Sequence, residues 1–165
     1  MSLKRLPNIL IACVLALSLF VSGCNATMTS APPTTDQSNS NGQIVASEPV
    51  SGGEFNKFFP KSQGDYKVNF RQEKSGFAQA KVSQGGEEVA LLSINDTANN
   101  PTAASKFQNS NKSIAGYPAV TQGSNTTALL VANRYQVKVT SKTLSESERE
   151  QWLTQFNLTG LARVK

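Results

Sequence analysis

The sequence predicts an α+β domain, an antiparallel sheet of about six strands with helices packed on it, in the order α-β-β-β-α-β-β-β-α. Three observations predict it. Short runs after residue 53 alternate apolar and polar side chains, the period-two mark of half-buried strands. Gly, Asn and Asp separate those runs closely enough for hairpins. Two helix-start signals, Asn100-Pro101 and Ser145-x-x-Glu148, stand among them.

Phe55, Phe58 and Phe59 fall at helical spacing, and Pro60 ends that helix. A core helix is the expectation, against a partner-binding knob beside the linker. Tyr66, Val68 and Phe70 then alternate with Lys67, Asn69 and Arg71, giving the first strand. Phe77 to Val82 is the second, with Ala78, Ala80 and Val82 on one face. Gln84-Gly85-Gly86-Glu87 turns the chain back into Val89–Ile94, whose Ala90-Leu91-Leu92 centre predicts burial on both faces. Asn100 as N-cap and Pro101 at the first helical position open a short helix with Ala103, Ala104 and Phe107 on its apolar side.

Beyond Gly116, Tyr117 to Val120 re-enters the sheet, with Tyr117 capping the core or lining a groove. Ala128 to Val131 is an apolar run too short for a buried helix. It is joined through Ala132-Asn133-Arg134 to the alternating strand Tyr135–Thr140, Asn133 being suited to positive φ. The last helix starts at Ser145 with a capping box to Glu148 and turns Trp152, Leu153 and Phe156 inward, with Leu158 and Leu161 beyond it.

Composition narrows the chemistry. The chain of 165 residues has 16 Lys and Arg, 11 Asp and Glu, two Cys and no His. Without His, most catalytic triads, most zinc sites and the usual proton shuttle are excluded. Both cysteines, Cys13 and Cys24, precede the domain, so its fold has no thiol nucleophile, disulfide or Cys-bound metal. Glu87-Glu88 sits in a turn and reads as solvated. Asp96, beside Asn95, Thr97, Asn99 and Asn100, lacks the spacing and closing Glu of a calcium loop and reads as a helix-opening turn. Gly85-Gly86 lacks the Lys-Ser/Thr of a phosphate loop. No enzyme activity, cofactor or metal is expected.

The N-terminal segment carries an address. Lys4 and Arg5 precede a run from Ile9 to Val21 whose only polar member is Ser18. It suits a signal-peptide core and falls short of the ~20 residues needed to span a bilayer. The run ends in Val21-Ser22-Gly23-Cys24, which resembles a bacterial lipobox. The resemblance implies a signal peptide over 1–23, cleavage between Gly23 and Cys24, and acylation of the Cys24 thiol. The product would be a membrane-anchored lipoprotein facing the periplasm or extracytoplasmic side. One acyl chain holds a protein only marginally, and two or three hold it firmly. Residues 24–52 then form the lipidated Cys and its tether. Positions 25–52 are dominated by Ser, Thr, Asn, Gln, Pro and Gly, with no aromatic or basic residue, too little apolar surface to offset ordering entropy. Such a tether spans roughly 30 Å on average and about 95 Å at full stretch. Residues 53–165 are the single globular domain.

Gly116-Tyr117-Pro118-Ala119-Val120, followed by Leu130 to Val139 and the C-terminal amphipathic helix, is similar to small uncharacterised lipoproteins of cyanobacterial type. More remotely, the order of elements resembles the PsbP/Mog1-like α/β/α sandwich, whose exported lipoprotein members are accessory to membrane complexes. The aromatic-rich Tyr-Pro-x-x-Trp opening of that family is absent, and the only Trp is Trp152. No functional residue is carried over from either resemblance.

The basic residues Lys57, Lys61, Lys67, Arg71, Lys74 and Lys81 concentrate in the first third of the domain. They suit an acidic protein partner or anionic head groups, and the export signal disfavours nucleic acid. Lys67, Arg71 and Tyr117 are the candidate contacts. The expected function is a non-catalytic domain binding a protein partner at the membrane surface. The alternative is a small-molecule or lipid-binding module, its ligand held between sheet and helix.

Overall fold

A computed structural model of the chain describes residues 48–98 and 100–165. The expected signal peptide, the lipobox-like Gly23 and Cys24, the expected tether up to residue 47 and Asn99 lie outside the described residues.

Seven strands form one antiparallel sheet: β1 (Tyr66–Lys74), β2 (Phe77–Gln84), β3 (Glu87–Asp96), β4 (Lys112–Ile114), β5 (Tyr117–Gln122), β6 (Thr126–Val131) and β7 (Tyr135–Thr140). Their order across the sheet is β1-β2-β3-β7-β6-β5-β4. The sheet is thus two meanders, one of three strands and one of four, joined where β3 pairs with β7. The predicted α+β class holds, with one strand more than the six expected. The addition is β4, three residues whose Ile114 is its only buried side chain, too short a run to show an alternation.

Turn chemistry fixes the hairpins. Gly85 and Gly86 have φ of 60° and 91°, and Ala132 and Asn133 have φ of 51° and 53°. Gly85-Gly86 matches a two-residue hairpin turn with positive φ at each position, whose twist suits the flanking strands, and Ala132-Asn133 opens the three-residue connection Ala132–Arg134 between Val131 and Tyr135. Another two-residue pair, Ala115-Gly116 with φ of 50° and 84°, joins β4 to β5.

Register assigns the faces. Ala78, Ala80 and Val82 stand opposite Ile94, Leu92 and Ala90. Leu92 and Ile94 stand opposite Val139 and Val137, and Val137 stands opposite Leu129. These side chains form one buried cluster with Phe55, Phe58, Phe59, Trp152, Leu153, Phe156, Leu158 and Leu161. Three short helices supply that cover: a 3₁₀ helix Gly52–Phe58, α2 (Glu146–Thr154) and α3 (Leu158–Leu161). Phe55 meets Tyr135 edge-on at 5.9 Å, and Trp152 meets Tyr66 at 5.4 Å. The three Phe of the opening segment are therefore core.

The opening helix is 3₁₀ rather than α and starts earlier than the aromatic spacing implied. Gly52 explains its placement: a Cβ there would lie 2.4 Å from the Phe77 carbonyl oxygen and 2.5 Å from backbone atoms of Lys74. Only glycine lets the chain cross the β1–β2 turn so closely. Residues 48–52, tether by composition, are bonded to the domain. Gly76 N–H donates to the Val50 carbonyl at 2.7 Å, and Val50 N–H donates to the Asp96 carboxylate at 3.0 Å.

The opposite face has a smaller cover. The one-turn helix α1 (Thr102–Ser105) brings Phe107 against Ala128 and Leu130. The expected Asn100 cap is corrected: no side chain caps the backbone of α1, and Pro101 itself takes the N-cap place with helical φ and ψ. Asn100 Oδ1 accepts from the Thr102 hydroxyl instead, at 2.5 Å. The Ser145 capping box on α2 is present in both directions, Ser145 to Glu148 N–H and Glu148 to Ser145 N–H. Leu91, expected to be buried, is half-buried, because α1 does not reach over β3.

The two sheet edges are guarded, as exposed edges tend to be. Ser62 Oγ accepts the Val68 N–H of β1 at 2.9 Å, and Gln63 exchanges backbone bonds with Tyr66. A bulge at Arg71 interrupts the rest of that edge. The other edge is the three-residue β4, whose Lys112 is paired to Glu146 and Glu150 of α2.

Candidate functional site

Alternation along β1, β2, β3 and β7 sends one set of side chains into the helix-covered core and the other to the open face. On that open face register aligns Gln79, Ser93, Lys138 and Ala128 in one row. The row beside it holds Asn69, Lys81, Leu91 and Thr140. Lys67 stands opposite Ser83 at one end, and Phe77, Asn95 and Gln136 align toward the other. Lys106, just beyond α1, lies within electrostatic reach of Lys138. Burial, and secondarily the Lys138 charge, hold its ammonium below the usual lysine value. None of Lys67, Lys74, Lys81, Lys106 and Lys138 pairs with a carboxylate among the described residues.

The structure separates the three contacts read from sequence. Lys67 is exposed on the open face of β1. Arg71 occupies the bulge, so Gln72, opposite Gln79, continues the row that Arg71 was expected to extend. Arg71 itself pairs with Glu88 at 3.1 Å, both exposed. Tyr117 opens β5, half-buried against the helix-side core. Five strand spacings, roughly 24 Å, separate it from β1. Lys67 and Tyr117 therefore belong to different faces and do not form one site. Sequence reading missed the contributions of Lys81, Lys106, Lys138 and Gln136 to a common surface. Their alternation was visible, but the β3–β7 pairing that aligns them joins residues about 45 apart.

Charges on the other face and at the sheet end are matched. Arg149, 3% exposed on α2, donates to Thr127 Oγ1 at 3.1 Å and to the Leu144 carbonyl at 2.7 Å. Glu146 accepts from Thr121 Oγ1 at 2.7 Å and pairs with Lys112, which holds its carboxyl below the usual range. At the end where the chain enters, Arg134 grips Asp96 through two bonds of 2.8 Å and also donates to the Glu48 carbonyl at 3.0 Å. Burial pushes the Asp96 carboxyl up. The bonds from Arg134, Val50 N–H and Ala98 N–H outweigh it and bring the carboxyl below its ordinary value. These donors occupy the lone pairs that a cation would need. Among the described residues no group of three or more His, Cys, Asp or Glu side chains is placed to hold a metal.

Several depressions line the sheet among the described residues, including one of about 500 Å³ beside Lys67 and Ser83. One of about 370 Å³ lies between α1 and the β6–β7 hairpin, lined by Pro101, Ala104, Leu130 and Arg134 among others. Another of about 270 Å³ lies where β3 and β7 diverge, beside Ser141. Ser141 Oγ accepts there from the Thr143 and Leu144 N–H groups, at 3.1 and 2.8 Å, and so serves the turn itself. No helix among the described residues is long and apolar enough to cross a membrane. No family model matches the chain, and no curated protein or solved structure matches it at a significant level.

Proposed function

We propose that the protein is a membrane-anchored lipoprotein whose non-catalytic α+β domain docks a protein partner or complex at the membrane surface. The observation that supports this most is the asymmetry of the sheet. One face is finished by three helices. Among the described residues the other keeps only the Phe107 cover at one end and presents amides and lysines without a carboxylate partner over four strands. A solvated face of this kind suits a polar, wet interface with a partner. The lipobox-like Val21-Ser22-Gly23-Cys24 and the polar stretch after it supply the attachment and the reach. Replacing Cys24 by Ser is expected to abolish labelling by a fatty-acid probe and move the protein off the membrane. Crosslinking in native membranes is expected to join the domain to a membrane complex only when Cys24 is present. Mass spectrometry showing an unmodified residue 24 in an intact leader would refute the anchor.

A second reading, a small-ligand module, is favoured by the 370 Å³ cleft under α1, a size that accepts small molecules. It is the weaker reading because Arg134, the charged group lining the cleft, is already bound to Asp96. Native mass spectrometry of the extracted protein showing a stoichiometric small ligand would favour it over docking.

A further inference from the structure

The open face has a chemical bias that docking alone leaves unspecified. Its central rows carry Lys81 and Lys138 among amide and hydroxyl side chains, with Lys67 at one end and Lys106 alongside, and no carboxylate stands in those two rows. The acidic residue nearest in register, Glu88 opposite Ser83, is taken by Arg71. A surface of this sign attracts anionic partners and rejects cationic ones. Gln136 adds a second observation. It is 3% exposed on this face, and its Nε2 donor has no partner among the described residues. A buried donor left without an acceptor costs free energy in the isolated domain and calls for an explanation.

We infer that this face receives an acidic protein segment in extended form, its carboxylates seated over Lys81, Lys106 and Lys138 and its backbone met by the amides of the neighbouring rows. The inference rests on the docking reading and adds the chemistry of the partner. Lys106 and Lys138 repel each other in the free domain, and Lys106 is partly desolvated. A carboxylate between them offsets the repulsion and gives both ammonium groups a charge-assisted hydrogen-bond acceptor. Three features favour a protein over a lipid surface. Asn69, Gln79 and Asn95 offer donors and acceptors together, the pattern of a peptide group, whereas head groups need charge alone. Successive rows follow one another along the strands at about 6.7 Å, the spacing at which alternate residues of an extended peptide running parallel to the strands present their side chains. Among the described residues the face also presents no exposed large apolar side chain, its Phe77 and Leu91 being half-buried. Phe70, the exposed large apolar side chain of the described residues, stands opposite Ala80 and packs on Phe59, on the helix side.

The test uses the full lipidated protein in phosphatidylcholine nanodiscs and a fluorescent peptide alternating Glu and Thr, with a Gln-for-Glu peptide as control. The Glu peptide is expected to bind at least about tenfold more tightly than the control. Affinity should fall as salt rises from about 50 to about 300 mM, since exposed charges are screened. K81E/K138E should weaken binding at least tenfold, and K81Q/K138Q, which removes charge without adding any, should weaken it less. Circular dichroism checks that both variants fold. Equal binding of the two peptides, or binding untouched by both variants, would overturn the inference. So would binding to phosphatidylglycerol vesicles with none to the peptide, which would assign the face to lipid. Crosslinking in native membranes separates this failure from that of the docking reading. If wild type and K81E/K138E capture the same complex equally, docking stands and the acidic partner falls. If the Glu peptide binds but wild type captures no complex, the charge preference stands and docking falls.

Discussion

On the helix-covered side of the sheet, charged groups that approach the core are all answered. Arg149 has Thr127 and the Leu144 carbonyl, Lys112 has Glu146 and Glu150, and Asp96 at the rim has Arg134 and two backbone N–H groups. On the open side, Lys81, Lys106 and Lys138 have no carboxylate among the described residues. Both faces are built from the same strands, with residues that alternate along one chain. The difference teaches how to divide the sequence: the answered face specifies the fold, and the unanswered face is free to specify something outside it. That division makes demands on mutants. Changes on the first side should cost stability, and changes on the second should cost contact with a partner and little else.

The sharpest way to break the comparison is in the core. Phe55 is fully buried and edge-on to Tyr135. Phe55→Ala is expected to lower unfolding free energy by about 3–5 kcal/mol, the cost of a large buried aromatic. A loss under about 1 kcal/mol in urea unfolding would show that the opening 3₁₀ helix is an appendage rather than part of the core.

Next comes the clasp where the chain enters. The Asp96 side chain is fully buried and Arg134 nearly so, at 0% and 18% exposure. Removing one partner leaves an unmatched charge, so Asp96→Asn is expected to cost about 2–4 kcal/mol at pH 7. The same substitution should free residues 48–50 to proteolysis, since Val50 N–H and Arg134 both lean on that carboxylate. The folded carboxyl lies below its unfolded value of about 3.9. Its stabilisation is therefore complete well above that value and is lost as pH falls through the folded one. Melting temperatures of wild type and Asp96→Asn should differ at neutral pH, begin to approach each other near about pH 4 and meet only once the pH is below the folded value. A gap that stays constant with acidification would mean that the carboxylate charge contributes nothing.

A smaller effect is expected at the start of α2. Ser145 Oγ accepts the Glu148 N–H while the Glu148 carboxylate accepts the Ser145 N–H at 2.7 Å. Ser145→Ala should cost about 1 kcal/mol. The loss should be read in the same urea series, because α2 holds Trp152 and Leu153 over the core.

These sites differ in how visible they are in the sequence. The Ser145 box, the Gly85-Gly86 and Ala132-Asn133 turns and the alternating strands are local, with cause and consequence within a few residues, and all could be read directly. The Asp96–Arg134 clasp joins residues 38 apart in sequence. Nothing near Asp96 announces it, so the neighbouring Asn and Thr residues suggested only a turn. The same holds for the open face. The first strand's polar set was legible as Lys67, Asn69 and Arg71, but the bulge that moves Arg71 out of line depends on pairing with β2. The pairing of β3 with β7, which brings Lys81 and Lys138 onto adjacent rows, follows only once both meanders are complete.

The smallest expected effect bears most directly on the comparison. Lys81 and Lys138 are half-buried by their stems, and their ammonium groups have no partner among the described residues. A lysine in that state contributes packing of its methylenes and repulsion from its neighbours, two small terms of opposite sign. Lys81→Ala and Lys138→Ala should therefore each leave unfolding free energy within about 0.5 kcal/mol of wild type. Lys138→Ala should also raise the titration midpoint of Lys106, by removing the charge that helps depress it, which NMR of the lysine side chains can follow. A loss above about 1.5 kcal/mol from either substitution would mean that these lysines hold the fold together, and the open face would then have to be counted as part of the scaffold.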